Sequence, residues 1–184
     1  MAAAAQRTMA GAQPKLDVFV SYSHDDDPRW LERVQKHLKP LARVGELDLW
    51  DDTRIKSGDR WRQEIKDALA RAEVAILLIS ANFYASDFID KSELPPLLEA
   101  AGARGLVILG VHINPSRFDR DQILSQYQTV NPPNQPIASL PEAAQEKVFD
   151  DLARRIEELT EPTGWSEPSL EARARLGRLY GLIP

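Results

Sequence analysis

The sequence contains no cysteine. That excludes disulfides, thiolate metal sites and cysteine nucleophiles, and it fits a reducing, cytoplasmic compartment. Histidine is scarce: His24, His37 and His112 are scattered along the chain, and His37 is expected on a solvated helix face. No metal centre follows from them. Long apolar runs are missing too. The run Val74 to Ile79 is far too short to span a bilayer, so no membrane segment is expected. The first 14 residues are alanine-rich but lack an apolar stretch of signal-peptide length, and they read as a disordered leader. A basic excess is also absent. The net charge is -5 with acids and bases interspersed, which offers nucleic acid no binding face. Neither glycine-rich phosphate cradle, G-x-G-x-x-G or G-x-x-x-x-G-K-[ST], occurs, and there is no G-x-S-x-G elbow.

What is present is an alternation of short apolar runs with amphipathic stretches. Leu16 to Val20 is β-branched and aromatic. Trp30, Leu31, Val34, Leu38 and Leu41 mark one face of a helix entered through Pro28 and ended by Gly45. Leu47 to Trp50 reads as a second strand. After a polar loop, Asp59 can cap a helix whose buried side carries Trp61, Ile65, Ala68, Leu69 and Ala72. Val74 to Ile79 is apolar throughout, as a central parallel strand must be. Pro95 and Pro96 divide the stretch Asn82 to Ala101 into two helices. Leu106 to Val111 is another buried strand, residues 114 to 136 are loop-rich, and Ile137 is expected on a short edge strand. A last helix carries Val148, Leu152, Ile156 and Leu159. This order predicts an α/β domain over residues 15–160, with a parallel sheet covered by helices on both faces. The segment 161–184 opens with Pro162, Gly164 and Pro168. It reads either as a linker towards a second domain or as a terminal helix.

Ligands of such sheets settle outside the carboxyl ends of the strands, where strand order reverses. Four polar segments meet there: Ser21 to Asp27, Trp50 to Gly58, Ser80 to Glu93, and His112 to Phe118. The triplet Asp25-Asp26-Asp27 can attract a cation, but it suits a helix N-terminus better, where carboxylates complement the dipole. Taken alone, Ser86 reads as a helix cap and Glu93 as a surface acid. A phosphoacceptor domain would need an aspartate directly after the third strand, where Ser80 stands.

Together these segments resemble the Toll/interleukin-1 receptor (TIR) domain family, specifically its bacterial members. The likeness runs from about Lys15 to Leu159 and rests on three stretches in order: Val18-Phe19-Val20-Ser21-Tyr22-Ser23-His24-Asp25-Asp26, then Trp50 to Gly58 with Trp61 beyond, then Leu77 to Phe83 with Ala85-Ser86-Asp87-Phe88-Ile89 and Glu93-Leu94-Pro95. The resemblance implies a flavodoxin-like, doubly wound sheet of about five parallel strands. It also implies cleavage of the nicotinamide–ribose bond of NAD, taken as substrate with no other cofactor, to give nicotinamide and ADP-ribose or a cyclic product. Glu93 matches the family's NAD-cleaving glutamate, with Asp90 as the fallback. Many members place that glutamate four residues after the aromatic, whereas Phe88 and Glu93 are five apart.

Substrate contacts then fall to Ser21, Tyr22, Trp50, Asp51, Arg54, Ser86 and Phe88. Tyr22, Trp50 and Phe88 are stacking candidates, with core packing the competing role. Asp51 and Arg54 would meet ribose or phosphates from the loop. Self-association through TIR–TIR contacts, a sensor or partner domain, and a role in bacterial immune signalling or anti-phage defence follow from the same likeness. A TIR interaction module without catalysis is the alternative. Both readings use the loop from Asp51 to Gly58, and only the enzyme needs Glu93.

Overall fold

Val74 to Ile79 (β3) is buried at every residue, which places it at the centre of a sheet covered on both faces. The computed structural model describes residues 15–51, 60–87 and 89–160, with the backbone alone for residues 60–62. The leader 1–14, the loop 52–59 (with Arg54, Gly58 and Asp59), Phe88 and the tail 161–184 lie outside the described residues, as does the side chain of Trp61.

Strands β1 (Leu16–Ser21), β2 (Leu47–Trp50), β3, β4 (Val107–His112) and β5 (Gln128–Thr129) form one five-stranded sheet in the order β2-β1-β3-β4-β5. Every pairing is parallel. This is the flavodoxin-like arrangement. The chain moves one way from β1 to β2 and the other way from β2 through β5, so right-handed crossovers place the helix of the first connection and those of the next two on opposite faces. Helices α1 (Arg29–Val44) and α5 (Glu142–Thr160) cover one face, and α2 (Arg60–Arg71), α3 (Ala81–Ala85) and α4 (Leu94–Arg104) lie on the other.

Strand periodicity sorts the core. Val18 and Val20 face α1, while Phe19 between them faces α2 and α4. Leu31, Val34, Leu38 and Leu41 are the buried face of α1, as their spacing predicts. Gly45 ends that helix at φ 84°, a left-handed turn that a side chain would strain. Gly110 on β4 has a different reason. A Cβ there would lie 2.9 Å from Ile79 Cδ1 and 3.0 Å from Thr129 Cγ2, so only glycine lets the flanking strands close in.

Three expectations are corrected. Ile137 is not on a strand; it starts a 3₁₀ turn, Ile137–Ser139, and the edge strand is Gln128–Thr129. The amides of Ser139 and Leu140 bond back to the carbonyls of Pro136 and Ile137, which closes the turn and removes those groups from any ladder. The buried face of α5 is Phe149, Leu152 and Ile156, with Val148 half-buried and Leu159 exposed. His37 is not on a solvated face. It is half-buried between α1 and α5, stacked on Phe149, with Nε2 2.7 Å from Glu146 Oε2.

Candidate functional site

The strand order reverses between β1 and β3, and the carboxyl end of that crevice is occupied by Ser21, the last residue of β1. Ser21 follows Phe19 by two residues, so its side chain belongs to the α2/α4 face. There it is fully buried, and its Oγ–H donates to Glu93 Oε2 across 72 positions of sequence. Glu93 is only 5 % exposed. It is therefore not a surface acid, and a buried carboxylate requires partners of this kind.

The segment that carries Glu93 is built from three local devices. Ser80 follows β3 directly and caps α3, its Oγ accepting from the Phe83 amide at 2.9 Å. Ser86 ends α3 and turns its Oγ to the Ile89 amide at 3.3 Å, so it is a cap. A π-helical turn, Ile89–Glu93, then runs into α4. Such a turn takes in one residue more than an α turn and recurs at functional sites. The same turn leaves Asp90 in solvent while Glu93 points inward. Pro95 and Pro96 are not a break; they occupy the first turn of α4, where their missing amides cost nothing.

The aspartate triplet does more than adjoin a helix start. Asp27 accepts from the Arg29 amide at 3.0 Å and from its guanidinium. Asp26 instead reaches across to β3 and α3, accepting from Ser80 Oγ at 2.5 Å and Asn82 Nδ2 at 2.9 Å. A second bridge thus ties the loop after β1 to the segment that carries Glu93. Nothing in the spacing of Asp26, Ser80 and Asn82 announces it.

The other expected residues divide between the two faces. Trp50 is half-buried on the α2/α4 side and stacks on Phe19 at 5.1 Å, a packing role. Tyr22 is half-buried against the α1 side and stacks on His24 at 5.0 Å. Asp51 is buried and accepts from Gln35 Nε2 of α1 at 2.9 Å. The structure therefore brings Ser21, Ser86 and Glu93 to one side of the sheet end and turns Tyr22 and Asp51 to the other. A groove of about 680 Å³ between α2 and α4 includes Lys91 and Ser92 in its lining, but neither Glu93 nor Ser21. Among the described residues, no three His, Asp or Glu side chains are grouped to hold a metal ion.

His112, at the end of β4, is enclosed rather than open to a ligand. Its ring meets Phe118 edge-on at 4.5 Å, and its backbone N–H and C=O both bond the side chain of Asn131 at 3.0 Å. Sequence reasoning missed Asn131, since an asparagine before Pro132 reads simply as loop. Burial pushes the His112 imidazole below its usual range of 6.5, against a smaller opposing effect of the Asp119 charge, and Nε2 has no partner among the described residues. Above the ordinary value both folded and unfolded states hold a neutral ring. As pH falls below it, the unfolded ring takes a proton that the folded ring resists, and stability drops. Urea unfolding should show this loss starting near pH 6.5, with a slope of up to about 1.4 kcal/mol per pH unit. His112→Phe, which keeps the edge contact, should remove that part of the slope. An unchanged slope in the variant would assign it to other groups.

With this geometry in view, comparison with known proteins decides the family. A family model described as the TIR domain matches residues 18–139. This chain belongs to the TIR domain family. The TIR match ends before α5, although α5 contributes Phe149, Leu152 and Ile156 to the core. The chain is also similar to the uncharacterized protein y4lF of Sinorhizobium fredii (strain NBRC 101917 / NGR234), 35 % identical over 82 residues. That stretch is 45 % of this chain and 25 % of y4lF, so the TIR chain spans about a quarter of the length of the curated relative it matches. Among the described residues of this TIR domain, no helix is long and apolar enough to cross a membrane.

Proposed function

We propose that this TIR domain cleaves the nicotinamide–ribose bond of NAD, with Glu93 as the carboxylate that stabilises the developing charge. The observation that carries the reading is the place of Glu93: an inward-facing carboxylate at the strand-order reversal of a TIR domain, held by the last residue of β1. The reaction asks little of the protein. Nicotinamide leaves as a neutral base from a positively charged ring nitrogen, so no acid need protonate it. Departure spreads positive charge onto the ribose, and a preorganised carboxylate in a water-poor site lowers that barrier. The products are nicotinamide and ADP-ribose or its cyclic form.

Arg54 and Phe88 are the proposed contacts to the rest of NAD, joined by Tyr22 and Asp51. Activation comes from self-association, and the domain acts with a sensor or partner domain as an effector of bacterial immune signalling in the cytoplasm.

The test is direct. Purified chain incubated with NAD over a hundredfold dilution series should release free nicotinamide, with specific activity rising with protein concentration. No release at any concentration, crowded or dilute, would leave the TIR interaction module without catalysis. Release at constant specific activity would keep the chemistry and remove the requirement for self-association.

A further inference from the structure

We propose that Ser21 is a positioning residue, whose hydroxyl sets the Glu93 carboxylate in its working orientation and does not itself touch the substrate. The inference rests on the NAD-cleaving reading and deepens it. It assigns Ser21 a role different from the substrate contact that the family likeness implies.

The position is anomalous on packing grounds. On the α2/α4 side of β1 the preceding inward residue is Phe19, fully buried and stacked on Trp50. The next inward position is a serine of zero exposure. An alanine would fill nearly the same space without bringing a polar group inside, and a buried hydroxyl is tolerated only when it is hydrogen-bonded. Its partner is the carboxylate of Glu93. With no surface of its own at the crevice, Ser21 reaches the chemistry through that partner.

The helix that Glu93 opens does not by itself orient its carboxylate, since the side chain makes no capping bond to α4. Glu93 ends a π-helical turn whose two preceding residues, Lys91 and Ser92, are exposed. A glutamate has three side-chain torsions, each with staggered alternatives, so a directional bond to the carboxylate selects among them. Ser21, by contrast, ends a strand paired with β2 as far as Phe19, and it is itself in register with Leu77 of β3. The hydrogen bond therefore couples the buried carboxylate to the end of a sheet strand. A charge that stabilises a transition state must be placed within a fraction of an ångström, and a misplacement of about 1 Å costs about 100-fold in rate.

The experiment compares the full chain with Ser21→Ala and Ser21→Thr, at a protein concentration where the native chain releases nicotinamide. Ser21→Ala should lower kcat about 10–100-fold with KM changed less than about threefold, since orientation and not binding is lost. Ser21→Thr, which keeps a hydroxyl on the same carbon, should recover most of kcat. In a Glu93→Asp background, where the carboxylate is withdrawn from reach, Ser21→Ala should cost less than about twofold, because residues acting as one unit are not additive. Thermal unfolding of each variant identifies any that is not folded under assay conditions, and the comparison then uses the remaining member of the series.

Native kcat in Ser21→Ala would overturn the inference, as would a loss carried by KM or equal losses in the Ala and Thr variants. So would a full Ser21→Ala penalty in the Glu93→Asp background. A native chain that releases no nicotinamide overturns the NAD reading itself, and this inference with it.

Discussion

Glu93→Gln should abolish nicotinamide release, by at least about 10²–10³-fold, while the melting temperature stays within a few degrees of the native chain. The size follows from what is removed. Deleting one preorganised electrostatic contact to a developing charge costs about that factor in enzymes that depend on it, and here one carboxylate is asked to supply the contact. The small stability change follows from what is kept. Glutamine has the same length and can still accept from Ser21 Oγ through its own oxygen, while the burial of a charge is relieved. Asp90→Asn should leave activity within about twofold, because Asp90 is exposed on the outer side of the same turn. The reverse pattern, an active Glu93→Gln with an inactive Asp90→Asn, would move the carboxylate role to Asp90. Liquid chromatography of the nicotinamide formed reads both.

The largest effect on stability should come from the far face of the sheet. Phe149→Ala should lower the unfolding free energy by about 3–5 kcal/mol in urea titrations. Phe149 is fully buried in the core between α1, α5 and the sheet. Its ring stacks with Trp30 at 6.4 Å and His37 at 5.7 Å, and the Arg33 guanidinium lies 4.7 Å from its centroid. Arg33 in turn donates to Gln145 at 2.6 Å and Glu146 at 2.5 Å, while His37 meets the second oxygen of Glu146. Truncating the ring opens a cavity and leaves those polar groups without their apolar floor. Leu159→Ala on the same helix should cost no more than about 0.5 kcal/mol, because Leu159 is 41 % exposed. Comparable losses from the two substitutions would mean that α5 packs on the other register of its apolar residues.

That contrast on α5 marks the boundary of what residue spacing conveys. Val148, Leu152, Ile156 and Leu159 lie on one helical stripe, and so do Phe149, Leu152 and Ile156. The two stripes differ by a small rotation. Periodicity defines both and cannot choose between them, since the choice depends on where α1 presents Trp30, His37 and Arg33. Along α1 itself only one stripe is apolar enough to bury, and it is the buried one.

What the sequence by itself determined is the set of features that arise within a few residues. The buried strands β3 and β4 follow from unbroken apolar runs, the end of α1 from Gly45, and the parallel three-layer sheet from alternating periods of 2 and 3.6. The family followed from three short stretches in order. Tertiary structure alone decided which polar groups meet. Ser21 bonds Glu93 only because β1 lies beside β3 and a π turn carries the carboxylate back over the strand end. Asp26 bonds Ser80 and Asn82, and Asn131 closes on His112, for the same kind of reason. Tyr22 and Asp51 were separated from Glu93 by the parity of their positions once β1 and β2 were set in register. Apolar burial is non-directional and repeats along the chain, so it leaves a periodic trace in the sequence. A hydrogen bond is directional and pairs two particular atoms, often many residues apart, and the distance between them is fixed only when the elements dock.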